Sequence, residues 1–129
     1  MSIRIVRLGT PREPGEGLRL GTVRRPPRGV RKSDYSRLDH FDLWLPDLAP
    51  SARLLAWVRS GDLTQRRWAS FARRYRSEMA RPVPTRLISL LAALSPESRL
   101  SIGCYCEDAA RCHRSILRVL LLKAGGTVE

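Results

Sequence analysis

A chain of 129 residues, 43% of them apolar, supports one small domain with a modest core. Lys and Arg number 24 against 12 acidic residues, a net of +12, and a surface that positive attracts nucleic acid, acidic partners or phosphorylated ligands. Three cysteines confined to positions 104–112 exclude a disulfide framework. With no signal peptide and no apolar run long enough to span a bilayer, the expected setting is the cytoplasm, with reduced thiols and no membrane partner.

Only Lys32 and Lys123 are lysines, and the arginines occur in every segment. An arginine-rich background therefore accounts for the charge as well as a binding surface does. In chain order, Ile3–Leu8 alternates apolar and charged residues and reads as a strand. A Gly- and Pro-containing loop follows to Gly17, and Leu18–Val23 is a second strand with Leu18, Leu20 and Thr22 on one face. The run Arg24-Arg25-Pro26-Pro27-Arg28-Gly29 is a fixed loop, because its prolines lack backbone donors. Its arginines suit anion contact or a solvated basic loop equally.

The stretch Val30–Asp39 is polar and offers one helical turn near Ser33 or Asp34. Phe41–Leu45 reads as a short strand or an irregular buried segment. Ser51 caps a helix through Leu54, Leu55 and Val58 to about Arg59. A second helix, about Thr64 to Ala80, carries Trp68, Phe71, Ala72, Tyr75 and Met79 as a core stripe. Pro82 and Pro84 break the pattern, and Thr85 caps a third helix over Arg86–Leu94 with Leu87, Leu90, Leu91 and Leu94 inward. Arg99–Tyr105 is the central strand, Glu107–Arg111 a loop and Cys112–Lys123 the last helix, stopped by Gly125-Gly126. The order predicts an α/β fold: a single compact domain over 1–129, with its core at about 3–124 and a short disordered C-terminal tail. A small, mostly parallel sheet carries about four helices.

Chemistry concentrates in Arg99–Ser115. Cys104 and Cys106 stand at the carboxyl end of the central strand, where open α/β sheets bind ligands. Cys112, His113 and Arg114 open the next helix, whose free N–H groups favour an anion or thiolate. Three accounts fit. In the first, a cysteine-dependent transferase or hydrolase needs no cofactor and acts on an anionic, phosphate- or sulfur-bearing small molecule. Cys112 is its nucleophile, Cys104 the alternative or resolving thiol, His113 the acid or base, and Arg114 an anion-holding group. Arg24, Arg28 and Ser115 complete the substrate contacts. In the second, Cys104, Cys106, Cys112 and His113 bind zinc or iron, although adjacent helical residues point about a quarter-turn apart. In the third, the basic surface binds nucleic acid. Six residues separate Cys104 from Arg111 and four separate Cys106 from it, so a phosphatase loop with five is excluded, and Gly103 alone does not make a glycine-rich phosphate cradle.

The chain also resembles the domain of unknown function 488 family, including its YeaO-like members, over about Ile3 to Leu122. The residues that carry the resemblance are Arg24, Pro27-Arg28-Gly29 and Lys32; Asp42 with Trp44; Ala49-Pro50-Ser51; and Trp68, Phe71, Arg74-Tyr75 and Glu78. Cys104-Tyr105-Cys106-Glu107 and Cys112-His113-Arg114-Ser115 complete them, and this last element places the chain in a Cys-x-Cys-Glu…Cys-His-Arg-Ser branch. The resemblance implies a compact α/β domain with enzymatic use of the Cys and Cys-His-Arg motifs, and it brings no established reaction. The YeaO-like branch has Asn-His at the Cys-His-Arg element, and other branches have Glu at position 106. By resemblance, Cys104, Cys112, His113 and Arg114 are therefore the stronger site residues and Cys106 an addition of this branch.

Overall fold

Four short strands, β1 (Ile3–Arg7), β2 (Leu18–Gly21), β3 (Leu43–Trp44) and β4 (Leu100–Cys104), form one sheet in the order β1-β4-β2-β3. The computed structural model describes residues 1–129. Every pairing is parallel, so all four strands end on the same edge. The helices are α1 (Ala52–Arg59), α2 (Gln65–Met79), α3 (Pro82–Leu94) and α4 (His113–Lys123), and the whole is a single α/β unit as the element order predicts.

Register decides which side chains share a face. Ile3 and Leu18 align with Leu100, and Ile5 and Leu20 with Ile102. The core on this face joins Ile3, Leu20, Leu100 and Ile102 to Phe71, Tyr75 and Met79 of α2, Ile88 and Leu91 of α3, and Ile116, Leu117 and Leu121 of α4. Fully burying one such side chain contributes roughly 1.5–3 kcal/mol. The opposite face is covered by loops. Phe41 lies against Gly21 and Leu8 against Gly103, where a Cβ would fall 2.4 Å and 2.5 Å from the packed side chain. Beside them Arg19 and Glu16 form an ion pair, each side chain 1% exposed. Glu16 also accepts from Ser101 Oγ, and Arg19 donates to the carbonyls of Thr10 and Asp39. Every charged atom of this buried pair that faces the loops therefore has a partner, as burial demands.

Ser51 caps α1 by accepting from Leu54 N, as its sequence position predicts, and Thr64 caps α2 by accepting from Arg67 N. The short strand anticipated in Phe41–Leu45 reduces to β3, and the helical turn near Ser33 is a 3-10 turn at Lys32–Asp34.

Three expectations change. The third helix begins at Pro82, one turn before the predicted start. A proline in the first turn breaks nothing, because that N–H has no intrahelical acceptor. Its inward residues are Ile88, Leu91 and Ala92, whereas Leu90 and Leu94 are 53% and 42% exposed. A helix apolar on nearly every side does not show by periodicity which side is buried. The chain end is also not a loose tail: Ile3 N donates to Thr127 O, Glu129 N donates to Ile3 O, and Val128 bridges Ile3 beside β1. That backbone pairing holds residues 127–129 against the sheet.

Candidate functional site

The carboxyl edge of the sheet gathers the chemistry. β4 ends at Cys104, and β2 runs out through Thr22 and Val23 into the arginine loop. The segment after β4 turns through a short 3-10 helix at Ala109–Arg111, capped by Asp108 accepting from Ala110 N, and returns Cys112 to the same edge as the N-cap of α4. Cys112 has extended backbone angles, φ −122° and ψ 152°. It is therefore not a helical neighbour of His113, and the quarter-turn separation expected of the two side chains does not apply. Cys112 Sγ lies 3.6 Å from His113 Nδ1.

The three sulfurs of Cys104, Cys106 and Cys112 lie within 4.8 Å of one another, with Cys104 and Cys106 3.6 Å apart. No disulfide joins them. His113 is oriented from behind: Nε2 is 2.7 Å from the carbonyl oxygen of Thr22 and 3.2 Å from its Oγ1. A carbonyl only accepts, so Nε2 carries a proton and Nδ1 is the nitrogen turned to Cys112. Arg114, 2% exposed, spends its guanidinium on three partners. Nε donates to Cys112 Sγ at 3.4 Å, Nη1 to Val6 O at 2.7 Å and Nη2 to Cys106 O at 2.6 Å. It thus clamps β1, the 104–106 segment and the α4 start together.

These neighbours divide the thiols. Cys112 is held far below the ordinary thiol value, first by the neighbouring sulfurs of Cys104 and Cys106 and then by His113, against the opposing effect of burial. Cys104 is pushed far up, by its bond to Cys106, by the nearby Cys112 sulfur and by burial. Cys106 is raised as well: the Cys104 bond pulls it down, but the nearby Cys112 sulfur and burial outweigh that pull. Of the three sulfurs, Cys112 is the one beside Arg114 Nε and His113 Nδ1, and these contacts favour negative charge there over Cys104 and Cys106.

A cleft of about 530 Å³ opens over the cluster. Cys104, Cys106 and His113 line its floor, Leu55 and Ala56 of α1 one wall, and Arg24, Arg25 and Arg59 its rim. Arg59 and Arg25 are exposed; Arg25 belongs to the loop whose arginines the sequence offered for anion contact, whereas Arg59 was missed. No local signal marked Arg59, since only the packing of α1 brings it to the cleft. Thr22 was also missed, because its contact is with a residue 91 positions away.

The other expected residues have other placements. Arg24 borders the cleft but is pinned by the carbonyls of Pro50, Pro46 and Ala49 at 3.0, 3.1 and 3.2 Å. Arg28 is exposed and does not line the cleft. Ser115 donates to Cys112 O at 2.9 Å and borders a different, larger recess of about 880 Å³. That recess contains no cysteine, and its charged walls are satisfied internally: Arg4 pairs with Glu13 and Glu129, and Arg99 donates to Gly15 O.

A family model described as the active DUF488-N3 subclade matches residues 3–125. The chain belongs to the DUF488 family. The match takes in the whole sheet, all four helices and the cysteine cluster of this DUF488 chain. No curated protein and no solved structure matches it. None of its helices is long and apolar enough to cross a membrane.

Proposed function

We propose that this DUF488 chain is a cysteine-dependent enzyme acting on an anionic, phosphate- or sulfur-bearing small molecule in the cleft between α1 and the 104–106 segment. The observation that carries this reading is the thiolate environment of Cys112: an Arg114 N–H at 3.4 Å, His113 Nδ1 at 3.6 Å and two further thiols within 4.8 Å. Cys112 itself is 2% exposed, so it stores the negative charge rather than meeting the substrate. The attacking sulfur is one of the two that line the cleft, Cys104 or Cys106. Its S–H proton passes to His113 Nδ1 as its bond to the substrate forms, and His113 returns that proton to the departing group. Arg25 and Arg59 hold the anionic part of the substrate at the rim, and Arg114 positions Cys112 without touching substrate.

Alkylation by iodoacetamide, with the modified residue located by mass spectrometry, tests this. The expected result is a cleft thiol that alkylates faster than the same thiol in the unfolded chain between about pH 6 and about pH 8 and is slowed by inorganic phosphate. An ordinary thiol with a pKa of about 8.5 loses nearly tenfold per pH unit over that range. Ordinary behaviour at all three cysteines would refute the proposal.

The three close sulfurs support a second reading, a zinc or iron site. His113 Nδ1 would be the fourth ligand, its Nε2 held by Thr22 O in the way metal-bound histidines are commonly oriented. Near-stoichiometric metal in freshly purified protein, with thiols hidden until unfolding, would favour this reading over the thiolate enzyme.

A further inference from the structure

The positive charge of the chain is unevenly compensated. All eight ion pairs involve Arg4, Arg7, Arg12, Arg19, Arg31 or Arg37. Residues 51–86 hold nine arginines and only two acidic residues, and none of these arginines is ion-paired. One of the two acids, Glu78, is occupied by Ser51, accepting from its N at 2.8 Å and its Oγ at 2.5 Å. Arg53, Arg59, Arg66, Arg73, Arg74 and Arg76 are all exposed.

The packing of α1 on α2 brings these residues together. The guanidinium carbons of Arg67 and Arg74 lie 4.2 and 4.3 Å from the centre of the Trp57 ring, which ties the basic side of α2 to α1. α1 in turn lines the cleft with Leu55, Ala56 and Arg59. Arg67 and Arg74 at Trp57 and Arg59 at the cleft therefore put part of this uncompensated charge on the helix that borders the cysteines, with Arg66, Arg73 and Arg76 exposed on the same α2.

We propose that the α1–α2 arginine surface binds the phosphodiester backbone of nucleic acid. The choice of nucleic acid over an acidic protein rests on composition. The charge is carried entirely by arginine, whose planar fork matches phosphate oxygens two at a time and is the more weakly hydrated cation. Bunching so many like charges without acidic neighbours costs folding stability through self-repulsion, and a polyanion relieves that repulsion by releasing its own counterions. Binding here does not depend on the thiolate chemistry. If both hold, the surface delivers a nucleic acid strand to the cleft and so names the substrate class.

The test is fluorescence anisotropy of labelled single-stranded RNA and DNA over a range of salt concentrations. It compares the full chain, an Arg66→Ala/Arg73→Ala/Arg76→Ala variant, and an Arg4→Ala/Arg31→Ala/Arg37→Ala variant of equal net charge. The expected result is binding that weakens steeply with salt. The first triple variant should bind at least about tenfold more weakly, with the log–log salt slope reduced by about 2, while the second stays near wild type. Cys112→Ser should bind as wild type does, and the first triple variant should keep wild-type alkylation kinetics, so failure here is separable from failure of the thiolate reading. Should the first triple variant not fold, the single Arg73→Glu variant, also at an exposed site, serves with the same expected direction. Equal loss in both triple variants, competition by polyglutamate as strong as by unlabelled RNA, or no binding at low salt would each overturn the proposal.

Discussion

His113 Nε2 lies 2.7 Å from the carbonyl oxygen of Thr22, so the end of β2 aims the ring whose other nitrogen faces Cys112. The orienting group is backbone, and this separates two substitutions. Thr22→Val removes only Oγ1, and Gly103 O, which Oγ1 also bonds, still receives Thr22 N. We expect Thr22→Val to cost about 1 kcal/mol and to leave thiol reactivity near wild type. His113→Ala should cost about 1–3 kcal/mol by stranding a buried carbonyl, and should also slow low-pH alkylation. Urea unfolding with alkylation rates distinguishes them.

Arg114 is expected to be among the most sensitive positions. Replacing it with Ala leaves Val6 O, Cys106 O and a charged sulfur without their donor in a buried place. The expected loss is about 3–5 kcal/mol. Arg114→Lys keeps the charge but cannot serve three acceptors from one rigid plane, so it should fall between Ala and wild type. Equal stability of Lys and wild type would show that charge alone matters at this position.

Two glycines separate space from backbone conformation. At Gly17 a Cβ would sit 1.7 Å from the carbonyl oxygen of Arg99, a backbone atom that cannot turn aside. Gly17→Ala should therefore cost more than about 3 kcal/mol or prevent folding. At Gly29, φ is +73° with open space around it, and only the left-handed conformation opposes a side chain. Gly29→Ala should cost about 1–2 kcal/mol. Thermal unfolding of the two variants gives the comparison.

The alkaline limb of stability should report Tyr105. Burial, and then the neighbouring Cys104 and Tyr35, push its hydroxyl up to about 12, and His40 Nδ1 lies 2.8 Å from that oxygen. The folded state therefore holds this proton more tightly than the unfolded chain does. The resulting stability is complete below the ordinary tyrosine value of about 10 and is lost as pH rises from there to about 12. Tyr105→Phe should flatten this part of the unfolding-free-energy profile, and an unchanged slope would contradict the assignment.

Much of this fold is written in local pattern. The 3-4 spacing of Trp68, Phe71, Tyr75 and Met79, the cap Ser51, and the apolar run Leu100–Cys104 each lead to the element observed. The convergence of the three cysteines follows from a strand that ends at Cys104 and a helix that starts after Cys112 on one edge of the sheet. What the pattern hides is long-range. Arg24 and Arg114 read as free anion-binding groups, because nothing local shows that carbonyls of Pro50 and Val6 will occupy them. Cys112 reads as the accessible nucleophile, because helix-start chemistry marks charge and not exposure. The second face of the sheet, closed by Phe41, Leu8 and the Glu16–Arg19 pair, depends on loops whose course no periodicity encodes.

The measurement that bears most directly on the account is the ultraviolet thiolate absorbance of the native protein across pH, compared with Cys112→Ser and with the unfolded chain. The local contacts hold Cys112 ionised well below the ordinary thiol range. The predicted result is about one thiolate per native chain at neutral pH and below, absent from Cys112→Ser and lost on unfolding. A native absorbance that rises only near about pH 8.5, as for free cysteine, and matches the variant below that pH would contradict it.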